Sequence, residues 1–331
     1  MRNPLINLLV VLLCFLSCKK SQPDCNLPEE INSIPLSVSI ERLEMEFFES
    51  PSEEKILSLL NKYPEFSEDY LLQNEFESKE ELAREISLLH NDPGMQELYR
   101  EVMNHFSDIS EIEKELENAF KAISYYYPEF TPPKVYTYIS GFTTDISLSK
   151  GMLVIGLDYF LPADHRFQPV DLPTYIAKRY DSDHLIPTIV MAISSAYNQT
   201  DLTDNTLLAE MVFYGKSYHF VKTILPCTPD EFIIGYTSED IAASYANEPL
   251  IYSHFVENEL FFETNPFIIR KYTGEAPFTD DISMDAPGRL GRWIGWNIVD
   301  DYQMNNNISL QELMAETNAA NIFRQSGYKP R

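Results

Sequence analysis

Residues 206–220 read TLLAEMVFYGKSYHF, enough chain for about four helical turns. The apolar side chains of Leu207, Met211 and Tyr218 recur at helical spacing and predict a helix over 205–223. The helix is amphipathic, with large apolar residues and a polar edge. The helix predicted over 186–198 is apolar on nearly all faces and should be buried, so the fold is expected to pack around these two helices.

Polar residues at both ends of this helix raise the question of a functional site. Asp204 or Asn205 is expected to cap its N-terminus. Glu210 and Tyr214 are four residues apart and share one helix face. His219 is nine residues from Glu210, which at about 100° per residue puts the two on opposite faces. We expect Glu210 and Tyr214 to form the polar floor of a cleft, without His219.

Working outward, the pattern changes from helical to alternating and back. Helices are predicted throughout 53–127, over 186–198 and over 287–306, and β-strands over 132–142 and 150–160. Ser52 and Ser78 are the expected N-caps of two helices in the first of these ranges, and His90, at a helix end, is expected to be structural. The two strands are separated by a seven-residue polar spacer, so we expect them to pair as an antiparallel sheet. The predicted fold class is α+β, mainly α-helical with a small central antiparallel sheet.

The N-terminus has the pattern of an export signal, MRNPLINLLVVLLCFLSCKK. Its apolar run, Leu5 to Leu16, is too short to cross a membrane as a helix and fits a signal peptide. Ser17 before Cys18 resembles a bacterial lipobox, which predicts that Cys18 becomes the acylated N-terminus of the mature protein. An ordinary signal peptide that happens to end in cysteine is the alternative.

These patterns divide the chain into a signal, a tether and a body. Residues 1–17 are the predicted lipoprotein signal peptide and 18–33 a short lipidated tether. Residues 34–331 are predicted to form a single globular domain. Its first part, 34–130, is helical, and its second part, 131–331, combines the sheet with further helices.

Composition excludes several classes of function. The formal charge is −26, and it becomes 24 − 51 = −27 once residues 1–17, with their one cation and no acid, are removed. Nucleic-acid binding is not expected, because it needs clustered lysines and arginines. There are only 11 glycines, and neither GxGxxG nor GxxxxGK[ST] occurs. We therefore predict no nucleotide site and no cofactor.

The chain has four cysteines, Cys14, Cys18, Cys25 and Cys227. Cys14 leaves with the signal and Cys18 takes the lipid. A disulfide between Cys25 and Cys227 is chemically allowed outside the cytoplasm, but the sequence does not show whether their Cα atoms approach closely enough. Their spacing does not indicate a zinc site.

Known catalytic patterns are incomplete in this sequence. Zinc hydrolysis uses HExxH on a helix, and no two of the six histidines are four residues apart. The helix predicted over 186–198 has neither histidine nor acid. There is no G-x-S-x-G and no base assigned to Cys227. We therefore predict no catalytic and no metal-binding residue, and whether the protein is an enzyme stays open, with the balance against it.

The stretch PGRLGRWIGW, 287–296, carries both tryptophans, Trp293 and Trp296, three residues apart. Glycines inside a helix cost about 1 kcal/mol each relative to alanine, so several of them indicate close approach of another element. Tight helix packing with structural arginines is one interpretation. The other is a cleft in which Arg289 meets an anion or an acid such as Glu210; its residues would be Glu210, Tyr214, Arg289, Trp293 and Trp296.

Several sequence blocks, in this order, resemble the GldB gliding-motility lipoproteins of Bacteroidetes: YYYPEFTPPKVYTYISGF, VIGLDYFLP, LPTYIAKRYDSDHLIP, TLLAEMVFYGKSYHF and PGRLGRWIGW. That family is distantly similar to predicted zincin-type metallopeptidases, which implies a degenerate zincin-like architecture. In those relatives the helix equivalent to 186–198 carries HExxH, and the helix equivalent to 205–223 supplies an acid before a glycine. Here the residue before Gly215 is Tyr214, so the resemblance implies a lost metal site.

The resemblance implies a non-catalytic, palmitate-bearing envelope lipoprotein that acts by protein contact. Its partners would be the membrane, through the lipid on Cys18, and envelope proteins such as the gliding or type IX secretion machinery. A periplasm-facing anchor in the outer or inner membrane is expected. The alternatives are a zincin-like hydrolase with an unrecognised site and a binder of a small ligand or peptide in the pseudo-active cleft.

Overall fold

The computed structural model describes residues 27–170 and 172–330. They form a mainly helical structure around one four-stranded sheet, which confirms the predicted α+β class. Within these ranges no helix is both long and apolar enough to span a membrane. The predicted signal peptide and most of the predicted tether lie outside the described residues.

The sheet is mixed, with the strand order β1-β2-β4-β3. β1 pairs with β2 and β2 with β4 in parallel, while β3 and β4 are antiparallel. Every residue of β4 is buried, as expected for a central strand covered on both faces. The strands are β1 (Ile40–Arg42), β2 (Lys134–Tyr138), β3 (Ile146–Ser149) and β4 (Met152–Gly156).

The prediction of an antiparallel sheet was wrong for its two central strands, because Val135 lies opposite Leu153 in a parallel pairing. The polar spacer between them contains a strand of its own, β3. It turns into β4 through Lys150 and Gly151, and Gly151 has a φ of 76°, a left-handed conformation suited to a tight hairpin. The chain reverses direction between β2 and β3 and again between β3 and β4, so β2 and β4 run the same way and pair in parallel.

The N-terminal half is helical around this sheet, as predicted. The side chains of Ser52 and Ser78 accept hydrogen bonds from the backbone of Lys55 and Glu81, the expected N-caps of two helices. The helices here are α1 (Glu29–Asn32), α2 (Leu43–Phe48), α3 (Glu53–Lys62), α4 (Lys79–His90), α5 (Pro93–His105) and α6 (Ser110–Tyr126), with a π-helical turn at Phe66–Tyr70 and a 3-10 turn at Gln73–Glu75.

The C-terminal half surrounds the helix with which the sequence analysis began. That helix is capped by Thr206, whose hydroxyl accepts from Ala209, rather than by Asp204 or Asn205. The helices are α7 (Thr174–Ala177), α8 (Ser182–Ser194), α9 (Leu207–Ile224), α10 (Asp230–Ile234), α11 (Ser238–Ala246), α12 (Glu248–Glu257), α13 (Pro266–Thr273), α14 (Leu290–Asn306), α15 (Leu310–Ala315) and α16 (Ala319–Ser326), with 3-10 turns at Leu157–Phe160 and Leu260–Phe262.

Helix α9 is the centre of this half. It packs against α14 through glycines: a Cβ atom on Gly295 would overlap the carbonyl oxygen of Met211, and one on Gly215 would overlap the carbonyl oxygen of Gly295. The predicted close approach at the glycine-rich helix is thus confirmed, and its partner is α9. The fully buried Lys216 also ties α9 to the C-terminal segment, because its ammonium donates to the backbone carbonyls of Gln199, Met314 and Glu316.

Candidate functional site

A cleft of about 910 Å³ opens at the N-terminal end of α9. Its walls come from α9, α13 and the first turn of α14, with one rim made by the loop before α9. We call it the α9 cleft. Its lining residues are Thr200, Asp201, Leu202, Asp204, Asn205, Thr206, Ala209, Glu210, Phe213, Tyr214, Thr264, Pro266, Ile269, Arg270, Thr273, Gly274, Glu275 and Arg292.

The predicted pair Glu210 and Tyr214 both line this cleft. They do so because positions four apart on α9 face the same side. The carboxylate Oε1 of Glu210 accepts a hydrogen bond of 2.7 Å from the hydroxyl of Thr273 at the end of α13. That bond joins α9 to α13 across the floor of the cleft.

Arg292 connects the floor to the wall made by α14. Its guanidinium carbon lies 3.9 Å from the centroid of the Tyr214 ring, a close cation–π stack. Its Nε donates to the carbonyl oxygen of Thr273, and its Nη1 donates to Oε1 of Glu275 at 3.1 Å. The side chain is thereby held in one orientation by a ring, a carbonyl and a carboxylate.

Glu275 is the acid at the centre of an arginine cluster. Its Oε2 lies 2.7 Å from Nη1 of Arg179 and 3.7 Å from Nε of Arg289, while Oε1 takes Arg292. Burial alone would raise the pKa of this carboxyl, but the guanidinium groups of Arg289, Arg179 and Arg292 outweigh it and hold the pKa below its ordinary value. Glu275 therefore stays ionised and binds three segments of the chain together.

Three of the predicted cleft residues do not line the α9 cleft. Arg289 is buried, donates through Nη1 and Nη2 to the carbonyls of Ile234 and Gly235, and approaches Glu275 instead of the expected Glu210. Trp293 and Trp296 are 1% and 5% exposed. The structure thus brings together Glu210 and Tyr214 but uses the tryptophans and Arg289 for packing.

The two tryptophans pack against different neighbours. The indole of Trp293 meets Tyr245 edge-on at a centroid distance of 5.2 Å, and Trp296 packs beside Tyr218 at 5.4 Å. Nε1 of Trp296 is buried without a hydrogen-bond partner. Both indole rings of α14 are therefore packing residues of the protein interior.

Sequence reasoning missed three residues that line the cleft, Thr273, Glu275 and Arg292, and it missed Arg179, which pairs with Glu275. Arg292 had a signal, since it lies on the glycine-rich helix. Arg179 and Glu275 had none, because each is a single charge in an unremarkable loop or helix end, 96 positions apart along the chain. Only the fold brings their side chains into contact.

The histidines are dispersed. His219 on α9 forms a 2.6 Å contact with Asp300 on α14, on the side away from Glu210 as its spacing predicts. His219 is 8% exposed, whereas the side chain of Asp300 is 49% exposed. Within residues 27–170 and 172–330, no group of three or more His, Cys, Asp or Glu side chains is arranged to hold a metal ion.

The predicted cysteine sites are only partly within the described ranges. Cys18 and Cys25 lie outside them. Cys227 is exposed and borders a second groove, at the opposite end of α9 from the α9 cleft. Lipidation and disulfide formation therefore stay predictions.

Comparison with known proteins gives one family. The model of the family described as Gliding motility protein GldB matches residues 24–330. No curated protein and no solved structure matches the chain. The zincin-like relationship that the resemblance implied stays a prediction.

Proposed function

This chain belongs to the GldB family of gliding motility proteins, and from that premise we propose that it is a lipid-anchored envelope protein that binds another envelope protein in its α9 cleft. The family links the chain to gliding motility and to the cell envelope. The lipid anchor, the protein-binding role and the cleft as its location are our proposals. Proteins of the gliding machinery and its associated type IX secretion system are the expected partners.

The observation that carries the proposal is the exposed apolar rim of the cleft. Leu202, on the loop before α9, is 94% exposed and lines the cleft. Phe267, which follows the lining residue Pro266 on α13, is 80% exposed. Exposed large apolar side chains that line a concave surface or adjoin a residue lining it are typical of protein-binding sites, where an aromatic or aliphatic anchor is buried on association.

The polar floor of the cleft favours binding over acid–base chemistry. Its carboxylates are already engaged, Glu210 with Thr273 and Glu275 with the arginine cluster. A carboxyl group with a lowered pKa, such as Glu275, is a poor proton donor near neutral pH. The same groups suit recognition, since they present fixed charges of both signs to a partner.

The lipid anchor is tested by replacing its cysteine. Cys18→Ala removes the only acceptor thiol that the lipobox pattern offers, and we expect the protein to move from the membrane pellet to the soluble fraction. Cys25→Ser is the matched control, because it changes a thiol seven residues away and should leave the protein in the pellet. Membrane association of Cys18→Ala equal to wild type would refute the anchor.

The binding role is tested by capture from envelope fractions with tagged, lipidated protein. Leu202→Ser and Phe267→Ser should each reduce recovery of the captured gliding or secretion proteins by about tenfold, as expected for the loss of an apolar anchor worth 1–2 kcal/mol. Val170→Ser and Leu88→Ser are the matched controls, because these side chains are 94% and 63% exposed outside the cleft.

Two outcomes would count against the cleft as the binding surface. Equal capture by the rim variants and the controls would place the contact elsewhere. Loss of capture by all four variants would point to nonspecific apolar adhesion. Unfolding temperatures within a few degrees of wild type establish that the rim variants are folded.

A further inference from the structure

The arginine cluster beside the α9 cleft carries more positive than negative charge. Arg179, Arg289 and Arg292 lie 2.7, 3.7 and 3.1 Å from the carboxylate oxygens of Glu275, and all three arginines are mostly buried. Within residues 27–170 and 172–330, no second acid lies within ion-pair distance of these guanidinium groups. Three arginines and one glutamate therefore leave two positive charges without an ion-pair partner.

A single carboxylate does not satisfy this cluster, and a buried charge without a partner is unfavourable. Burial lowers the pKa of Arg179, and the positive charge of Arg289 lowers it further, so that together they outweigh the attraction of Glu275. Nε of Arg289 is buried and has no hydrogen-bond partner among the residues that the structure describes. Repulsion among the guanidinium groups thus persists, and a second anionic group would reduce it.

The fold holds two of these arginines together at Gly235. The carbonyl oxygen of Gly235 accepts a hydrogen bond from Nη2 of Arg289, and a Cβ atom on Gly235 would lie 2.6 Å from Cδ of Arg179. Gly235 has a φ of 69°, a left-handed conformation with which it ends α10. Glycine at this position therefore lets both arginines approach the same turn despite their like charge.

The cluster opens to the α9 cleft. Gly274, Glu275 and Arg292 line the cleft, and the side chain of Glu275 is 39% exposed. Arg292 donates through Nε and Nη1, and Arg179 donates through Nη1, whereas a guanidinium group has five N–H donors. Both arginines therefore retain donors for an acceptor that enters from the cleft beside Glu275.

A carboxylate is the anion that suits this cluster best. Glu275 itself shows that these guanidinium groups bind a planar group with two oxygens, for which the arginine fork is well matched. A polyanion is disfavoured, because the chain has a formal charge of −26 and would repel it. A single carboxylate next to an apolar residue is complementary both to the cluster and to the exposed side chains of Leu202 and Phe267.

We infer that the arginine cluster binds a carboxylate of the partner protein, beside Glu275, when that partner occupies the α9 cleft. This inference rests on the proposed function of the cleft. The carboxylate belongs to an acidic side chain or to the C-terminus of the partner, next to an apolar residue that contacts Leu202 or Phe267. Because Glu275 repels a second carboxylate, its removal should strengthen binding, whereas loss of Arg179 should weaken it.

Binding of a free carboxylate is measured first, on the full-length protein without a partner. Sodium acetate replaces sodium chloride at constant ionic strength and pH 7, and the unfolding temperature is recorded, because a ligand of the folded state raises it. We expect acetate to raise the unfolding temperature of Glu275→Gln by about 2–4 °C more than that of wild type. Arg179→Gln should respond less than wild type, and Arg179→Lys, which keeps the charge but not the fork, should lie between them.

Glu101→Gln and Arg166→Gln are the matched controls, because Glu101 and Arg166 form an ion pair at 2.7 Å outside the cleft. Each makes the same change of charge, and each should respond to acetate as wild type does. Equal responses of all the variants and wild type would overturn the carboxylate site. A response of Arg179→Gln as large as that of Glu275→Gln would also overturn it, since the two substitutions change the charge of the cluster in opposite directions.

The carboxylate of the partner is tested by capture from envelope fractions with tagged, lipidated protein. We expect Arg179→Gln to reduce the recovery of captured envelope proteins by about tenfold, as for a lost charged hydrogen bond. Glu275→Gln should increase their recovery, and Glu101→Gln and Arg166→Gln should leave it unchanged.

Failure of this inference is distinguishable from failure of the proposed function. If Arg179→Gln and Glu275→Gln captured partners as wild type does while Leu202→Ser lost them, the cleft would bind a protein without the partner carboxylate, and the inference would be overturned. If wild type captured no partner but kept its response to acetate, the carboxylate site would stand and the proposed protein-binding function would be refuted.

Discussion

At the scale of single residues, buried polar side chains connect elements that the sequence leaves far apart. His90, at the end of α4, is 1% exposed and stacks on Phe48 at a centroid distance of 3.9 Å. Its Nδ1 lies 3.3 Å from the carbonyl oxygen of Phe47, and its Nε2 lies 3.0 Å from the hydroxyl of Tyr138. The ring thus joins α4, α2 and strand β2, the structural role expected of it.

His90 should make the protein sensitive to acid. Burial lowers its pKa from 6.5 to about 4, so the unfolded chain takes up a proton in this window while the folded protein does not. The contribution of His90 to stability is therefore complete above pH 6.5 and is lost as the pH falls towards 4, by about 3 kcal/mol.

The measurement is urea unfolding of wild type and His90→Gln at several pH values. The variant is less stable near neutral pH, but the difference from wild type should shrink by about 3 kcal/mol between pH 7 and pH 4. His165→Gln is the control. Because it keeps His90, its free energy of unfolding should still lose the contribution of His90 as the pH falls, as in wild type. If the free energies of unfolding of wild type and His90→Gln differed by the same amount at every pH from 7 to 4, burial would not lower the pKa of His90 as described.

At the scale of elements, the crossing of α9 and α14 organises the C-terminal half. Gly215 and Gly295 let the two backbones meet without intervening side chains. Above the crossing, the first turn of α14 places Arg292 over Tyr214 of α9, and this contact forms part of the α9 cleft. The packing of two helices thereby positions the cleft.

Gly295→Ala and Gly215→Ala should each destabilise the protein. Alanine gains about 1 kcal/mol of helix propensity, but its Cβ would overlap a backbone oxygen of the facing helix, and only a backbone shift relieves that overlap. We expect a net loss of at least about 2 kcal/mol in chemical unfolding.

Gly94→Ala is the matched control for the two helix-crossing variants. A Cβ at this position, in the first turn of α5, has a side-chain oxygen of Asp92 as its nearest neighbour, at 3.0 Å, and a side chain can give way. Its stability should stay within about 0.5 kcal/mol of wild type. Wild-type stability of Gly295→Ala would mean that the two helices are not in close contact.

At the scale of the whole molecule, the hydrophobic core is continuous. One cluster of buried apolar residues extends from Ile31 in α1 to Tyr328 near the C-terminus, and it includes the sheet and α9. The helical part predicted over 34–130 and the remainder over 131–331 contribute to the same cluster. A continuous core favours unfolding of the whole body in one step.

Differential scanning calorimetry of the mature chain should therefore show one transition with a ratio of van't Hoff to calorimetric enthalpy near 1. Gly295→Ala should lower the temperature of that whole transition, because the crossing it disturbs belongs to the shared core. Two separate transitions, of which only one responds to Gly295→Ala, would divide the body into two domains.

Local features of the fold were readable from the sequence. The helical spacing of Leu207, Met211 and Tyr218 predicted α9, and Ser52 and Ser78 marked two helix starts. Such features depend on residues within one or two turns of each other, whose geometry is the same in any fold. The pairing of Glu210 with Tyr214 in one cleft followed from the same periodicity.

Contacts between distant segments were decided by the tertiary structure. Strand β4 pairs with β2 in parallel and with β3 in antiparallel fashion, and no local pattern specifies which strand lies on which edge of β4. Glu275 gathered Arg179, Arg289 and Arg292 from positions with no shared spacing.

The sequence by itself determined the helices of this protein, its acidic charge and the family to which it belongs. The tertiary structure decided which charges meet and which end of α9 opens into the α9 cleft. The physical reason is one of range: helix periodicity and capping act over a few residues, whereas a charge cluster or a groove exists only once packing has brought remote side chains together.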